Sequence, residues 1–277
     1  MSSRTVLTRV KGRGHGLMHR MFSPGDLGAT LKPFVFLDFL SGDVKAEGLN
    51  FGFHPHSGIG TLTYSLNAAV NYTDTEGVEG VLEPGGLEWM SAGGGAWHRS
   101  SFKGPISKMV AFQFWFALPK DVEDGPSASM YITPNAVPVS DQFKVLIGRY
   151  AGLSSIIPSP NNVTVLDLVL PGTEFTYQYP PGHTASFVFV YSGSALVGDD
   201  VRPSTNEEIF VIENSEAQAL TIKSLHADTR VLVASGVPHP HPLSLGMYSV
   251  HTNPVSLANG QARINVIGER MEREGRI

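Results

Sequence analysis

Short runs of β-branched and aromatic residues recur along the chain: TLTYSL (61–66), MVAFQFWFAL (109–118), VTVLDLVL (163–170), SFVFVY (186–191) and TRVLVAS (229–235). Such runs are too short for helices and suit strands that bury one or both faces. Glycine (30 residues) and proline (19) punctuate them, and PGGLE (84–88) and PPGHT (180–184) are turn signals at comparable places in the two halves. Many short strands between such turns predict an all-β protein of the sandwich or barrel type. PSASMYITPNAVP (126–138) reads as a connection, and strand-rich patterning resumes after it. The expectation is therefore two β domains, residues 1–132 and 133–277. The tail NGQARINVIGERMEREGRI (259–277) mixes charges at helical spacing and reads as a surface helix or packing arm.

Two stretches echo one another in pattern. SGIGTLTYSLNAAV (57–70) and GHTASFVFVYSGSALV (182–197) each run from a Gly-containing turn into an alternating strand and out through a polar turn. Just before the first lies FGFHPHSG (51–58), with His54 and His56 two residues apart; on an extended strand these share a face. The second stretch carries one histidine there, His183. A third candidate, His98, follows the glycine run of LEWMSAGGGAWHRSS (87–101). Two histidines from one strand and one from a neighbour form a three-nitrogen platform for Fe, Ni, Cu, Mn or Zn, with positions left for water, O₂ or substrate. The competing reading is three histidines hydrogen-bonded separately in a barrel mouth.

Composition narrows the chemistry. The chain has no cysteine, so no thiolate ligand, Cys nucleophile or disulfide exists. Net charge of −5 and a pI near 6.0 give no basic footprint for nucleic acid. No apolar run is long enough for a membrane helix, and MSSRTVLTRVKGRGHG lacks a secretory signal core, so a cytoplasmic location is expected. Other histidines carry weaker signals. His239 and His241 in VPHPHPLS repeat the His-x-His spacing but in a proline-stiffened loop. His15 and His19 flank an apparent hairpin as surface or packing residues. Gly93–Gly95 has neither the helix nor the Lys of a phosphate loop and reads as a tight turn presenting His98.

FGFHPHSGIGTLTYSL, EPGGLEWMSAGGGAWH and the upstream LKPFVFLDF together resemble the pirin family of the cupin superfamily. The ordered set His54-Pro55-His56, Thr63-Tyr64, Pro84-Gly85, Trp89-Met90, Ala92-Gly93 and His98 carries the resemblance. ADTRVLVASGVP (227–238) and HTN (251–253) are similar to the C-terminal pirin region. The resemblance implies a bicupin of two tandem jelly-roll barrels, a divalent metal in the N-terminal barrel, usually iron, and a metal-free C-terminal barrel. On this reading His226 and His251 belong to the metal-free barrel and are structural.

The chain also departs from the family. Pirins usually close the site with His-x-Glu, the Glu being the fourth ligand, whereas here the residues are His98-Arg99-Ser100. Gly60 and Tyr72 stand where many pirins carry a Glu and a His. A neutral hydroxyl at position 100 removes a charge from the ligand set, with solvent, an anion or Glu76 of the polar turn YTDTEGVEG, which also holds Asp74, as a replacement. The resemblance implies a dioxygenase of the quercetin 2,3-dioxygenase type. The alternative is a catalytically degenerate pirin-like binding or regulatory protein without a functional metal centre. A planar aromatic small molecule is the expected ligand, with Phe53, Trp89, Trp97 and Phe114 as candidate cavity walls, or else a protein partner.

Overall fold

The computed structural model describes residues 3–215 and 219–277, with the side chain of His15 outside that description. Every ladder between its named strands is antiparallel, and only two α-helices, Leu27–Leu31 and Pro254–Arg273, occur among the described residues. The fold is an all-β bicupin.

Two compact units divide the chain, but not as consecutive halves. One comprises residues 1–13 and 137–238, the other 14–136 and 239–277. Where the sequence reading divides the chain once, after residue 132, the chain passes between units after residue 136, and both ends are exchanged. The physical reason is edge pairing. Strand Val6–Lys11 adds to Glu208–Ile212 at the margin of a sheet, satisfying backbone groups that the sheet would otherwise leave open.

The unit built largely from the second half has a six-stranded sheet in the order Val6–Lys11, Glu208–Ile212, Ala185–Ser192, Thr229–Gly236, Thr164–Leu170, Phe143–Ile147. A three-stranded sheet, Glu174–Gln178, Ala219–Ser224, Ala195–Val197, accompanies it. Leu166, Leu168, Val188, Val190, Phe210 and Val231 lie in its core, the alternate positions of the runs seen in sequence. His183 is buried here with Nδ1 2.8 Å from Ser235 Oγ.

In the other unit, a seven-stranded sheet runs Ala128–Ile132, Leu87–Ser91, Ile59–Ser65, Ile106–Ala117, Phe34–Val44, Met18–Phe22, Arg13–His15. A four-stranded sheet runs Leu49–His56, Ala96–Phe102, Val70–Asp74, Glu79–Leu82. Part of the expected connection is thus an edge strand: Met130 pairs with Trp89 and Ile132 with Leu87. Its short length and Pro134 just beyond hid it. Every residue of Ile59–Ser65 is buried, as befits a strand flanked on both sides.

The tail forms the helix Pro254–Arg273, capped by Asn253 Oδ1 accepting from the Val255 and Ser256 amides. Ser256, Gly260, Ile264, Gly268 and Met271 make its buried face, at spacings of four and three. A Cβ at Gly260 would crowd His251 and Ser57, so glycine sets how closely this helix approaches the barrel. Residues 239–277, placed by the sequence reading in the second domain, therefore belong to the barrel that holds the histidine pair.

Candidate metal centre

Strand Leu49–His56 places His54 and His56 on one face, and strand Ala96–Phe102 pairs with it so that His98 lies opposite His54 and Ala96 opposite His56. The ring centroids are 4.5 Å apart for His54–His98 and 5.1 Å for each of the other two pairs. Ligand nitrogens of the three lie within 4.8 Å of one another. Gly93, in the tight turn before His98, has φ +52° and sits against the Gly125 carbonyl, where a Cβ would collide. That accounts for glycine in the run without a phosphate.

Each imidazole is held through its Nδ1. His54 donates to the Gly52 carbonyl at 2.8 Å, His56 to the Tyr248 carbonyl at 3.2 Å, and His98 to Glu88 Oε1 at 3.1 Å. Carbonyls and carboxylates only accept, so the proton of each neutral ring sits on Nδ1 and the lone pair on Nε2. The Nε2 of His98 is buried with no hydrogen-bond partner. Burial, and then the neighbouring His98, lowers His54 to about 4; burial drives His56 well below the ordinary histidine value. These two rings are therefore neutral at pH 7, the form that ligates. An unpartnered buried Nε2 beside two neutral imidazoles, each ring oriented by an outer acceptor, is a donor set that fits a divalent transition metal.

The rings of His54 and His56 open onto a cavity of about 440 Å³. Phe36, Phe51, Phe53, Phe102, Trp115 and Tyr248 give it aromatic walls, while Arg20, Asp38, Thr63 and Gln113 add a polar side. Arg20 grips Asp38 in a two-point pair at 2.8 and 2.9 Å, yet burial outweighs that attraction and raises the Asp38 carboxyl above its usual range. Thr63 donates to Gln113 Oε1 at 3.0 Å. Tyr248 comes from the C-terminal segment, with its ring 6.0 Å from those of His54 and His56 and a φ of +58°. That left-handed backbone is costly for tyrosine, and here it accompanies the carbonyl that orients His56.

Several expectations change. Of Phe53, Trp89, Trp97 and Phe114, only Phe53 lines the cavity. Trp89 and Phe114 are core, and Trp97 donates its indole N–H to the Ile264 carbonyl of the helix at 2.8 Å. In AFQFWFA the alternation puts Gln113 and Trp115 toward the cavity and Phe114 and Phe116 into the core. Gly60 is not a vacant ligand position, because a Cβ there would strike the Trp89 ring. Tyr72 stacks on Tyr131 at 3.5 Å and lies outside the cavity. Glu76 is exposed in a turn whose amides are capped by Asp74 Oδ1, so it does not replace the missing ligand. Ser100 lines the cavity with His54 and His56, beyond a bulge in the neighbouring strand where Gly52 and Phe53 stand opposite Arg99. His239 donates Nε2–H to the Leu118 carbonyl at 3.1 Å, and His19 lies against Phe39. His251 belongs to this unit rather than the other, and is buried beside Ser57.

Sequence reasoning missed Glu88, Asp38, Arg20 and Tyr248. The first two had a signal, a lone carboxylate inside an otherwise apolar strand run, in GGLEWM and FVFLDFL. Tyr248 had none.

Comparison with known proteins agrees with this architecture. Residues 16–116 match the Pirin family model. A Pseudomonas aeruginosa protein named as a putative quercetin 2,3-dioxygenase is 31% identical over 225 residues, covering 76% of this chain and 77% of its own. The chain belongs to the pirin family. A pirin-like protein of Caulobacter vibrioides is 28% identical over 88% of this chain and 91% of its own length. Among solved structures, a quercetin 2,3-dioxygenase from Acinetobacter baumannii superposes with a TM-score of 0.85 at 23% identity, covering 98% of both chains. A bacterial pirin from Escherichia coli, YhhW, in complex with nickel(II), gives 0.62 at 17% identity over 83% of this chain and 99% of its own. At these identities the two structures speak to the fold of this pirin. No helix among its described residues is long and apolar enough to cross a membrane.

Proposed function

We propose that this pirin binds one divalent metal, iron foremost with Ni, Cu, Mn or Zn as alternatives, through His54, His56 and His98, and that the loaded site opens the ring of a planar hydroxylated aromatic by dioxygenation, as the names of its relatives suggest. The observation that carries the reading is that the three imidazoles bring ligand nitrogens within 4.8 Å of one another while each Nδ1 is tied to an outer acceptor, with His54 and His56 lining an aromatic cavity.

When bound, the metal supplies Lewis acidity and a template for a deprotonated hydroxyl and O₂. The chain's own contribution is orientation and proton handling. Phe36, Phe51, Trp115 and Tyr248 offer flat apolar faces to a planar ring and exclude water from it. Asp38, the carboxylate among the lining residues, is the group to accept a hydroxyl proton, and its raised pKa brings it closer to that task. Arg20 holds it in place through both oxygens. A cytoplasmic location fits these roles.

The second reading, a binding or regulatory protein without turnover, is supported by Ser100, which offers the site a hydroxyl where a charged ligand is expected. Oxygen consumption with quercetin after loading with Fe²⁺ or Ni²⁺ separates the two. Metal-dependent turnover that is lost in His98→Ala supports the enzyme. No oxygen uptake and a site still empty after metal supplementation support the binding protein.

A further inference from the structure

A second cluster in the same unit shares no ligand with the three histidines. His251 is fully buried, and its Nδ1 lies 3.7 Å from Glu123 Oε2 and 3.6 Å from Asp124 Oδ1, without a hydrogen bond to either or to any other group. A chain of hydroxyls fixes which nitrogen holds the proton. Gln261 Nε2 donates to Ser249 Oγ at 2.7 Å, Ser249 Oγ donates to the Met247 carbonyl at 3.2 Å, and Ser57 Oγ donates to Ser249 Oγ at 2.8 Å. With its proton spent, Ser57 Oγ accepts from His251 Nε2 at 3.0 Å. A neutral His251 therefore carries its proton on Nε2 and aims a bare Nδ1 lone pair at two carboxylates.

Those carboxylates are themselves fixed. Glu123, buried, accepts from the Thr252 amide at 2.7 Å and the Thr252 hydroxyl at 2.6 Å. Asp124, half-exposed, accepts from Ser256 Oγ at 2.7 Å in the first turn of the helix. Three acceptors facing one another with no hydrogen between them are unfavourable unless a positive charge lies there. One nitrogen and two oxygens within 4.8 Å of one another are the donors and spacing of a borderline divalent ion, with Asp124 providing access from solvent. A proton on Nδ1 is the competing positive charge, but burial lowers the pKa of His251 despite the attraction of Glu123 and Asp124.

We propose that Glu123, Asp124 and His251 Nδ1 form a second divalent-cation site, for an ion such as Zn²⁺ or Mn²⁺, that ties the C-terminal segment to the barrel.

The test is equilibrium dialysis of full-length protein against Zn²⁺ at pH 7, with fold checked by circular dichroism. His54→Ala/His98→Ala removes the first cluster and should still bind one Zn²⁺. Adding Asp124→Asn should weaken that binding by about tenfold or more, and His251→Gln should abolish it. Should the double variant not fold, the wild type against Asp124→Asn decides: a loss of one Zn²⁺ at matched free metal supports the site, and an unchanged stoichiometry overturns it. A folded double variant that binds no Zn²⁺ also overturns it, as does binding that survives both substitutions. Nitrogen NMR of histidine gives a further readout. The expected result is a His251 Nδ1 resonance that shifts with Zn²⁺, and a doubly protonated ring indifferent to Zn²⁺ would refute the proposal.

Discussion

Glu88 Oε1 lies 3.1 Å from His98 Nδ1, and both side chains are buried. Glu88 belongs to a strand of the seven-stranded sheet and His98 to the four-stranded sheet, so the contact crosses the interior of the barrel. A carboxylate behind a ligating imidazole fixes its tautomer and raises its basicity. A carboxyl group that Ser100 does not offer to the candidate site is thus found behind His98 instead. Glu88→Gln should weaken divalent-metal binding by about 10-fold and Glu88→Ala by up to about 100-fold, read by competition against a chromophoric chelator. Equal affinity in all three proteins would show that the contact does not tune the site.

Ser100 lines the cavity with His54 and His56, so a longer acidic side chain there has a route to the metal. Ser100→Glu should tighten metal binding by roughly one to two orders of magnitude, the scale of changes in a ligand's surroundings. The same titration checks it, and an unchanged affinity would mean that position 100 does not reach the metal.

Gly60 abuts the Trp89 ring. Gly60→Ala should therefore destabilise the fold by about 1–3 kcal/mol through overpacking, measured as a lower urea midpoint with an unchanged slope. A ligand role for position 60 would instead predict altered metal affinity at constant stability.

Burial, and then the charge of Arg4, lowers His183 from 6.5 to about 4. Between those values the unfolded chain binds a proton that the folded chain refuses, so stability rises with pH across that window and is lost as pH falls through it. The contribution is at most about 3.5 kcal/mol, at 1.36 kcal/mol per pH unit. His183→Gln should flatten the pH dependence of unfolding between pH 6.5 and 4, measured by urea denaturation, while an unaltered slope would exclude His183 as its source.

The strands were legible because alternating and fully apolar runs leave a clear pattern, and the shared face of His54 and His56 because their spacing follows from strand geometry; that His98 lies opposite His54 depends on a strand pairing far along the chain. The exchange of chain ends was not, since edge pairing between residues more than 190 apart, such as Arg9 with Phe210, leaves no local trace. Which aromatics line the cavity was hidden too: in AFQFWFA every residue suits a core, and only the register against Thr61 and Thr63 decides that Trp115 and Gln113 face inward to the cavity. Gly60 looked like a lost ligand until Trp89 was seen to occupy the space.

The central claim is that three Nε2 atoms share one metal. The most direct measurement is an anomalous-difference map, at the nickel edge, from crystals of the full-length protein soaked in Ni²⁺. The account predicts a peak about 2.0–2.1 Å from Nε2 of His54, His56 and His98 together, with each Nδ1 still on its outer acceptor. Three rings turned into separate hydrogen bonds, with no peak between them, would contradict it.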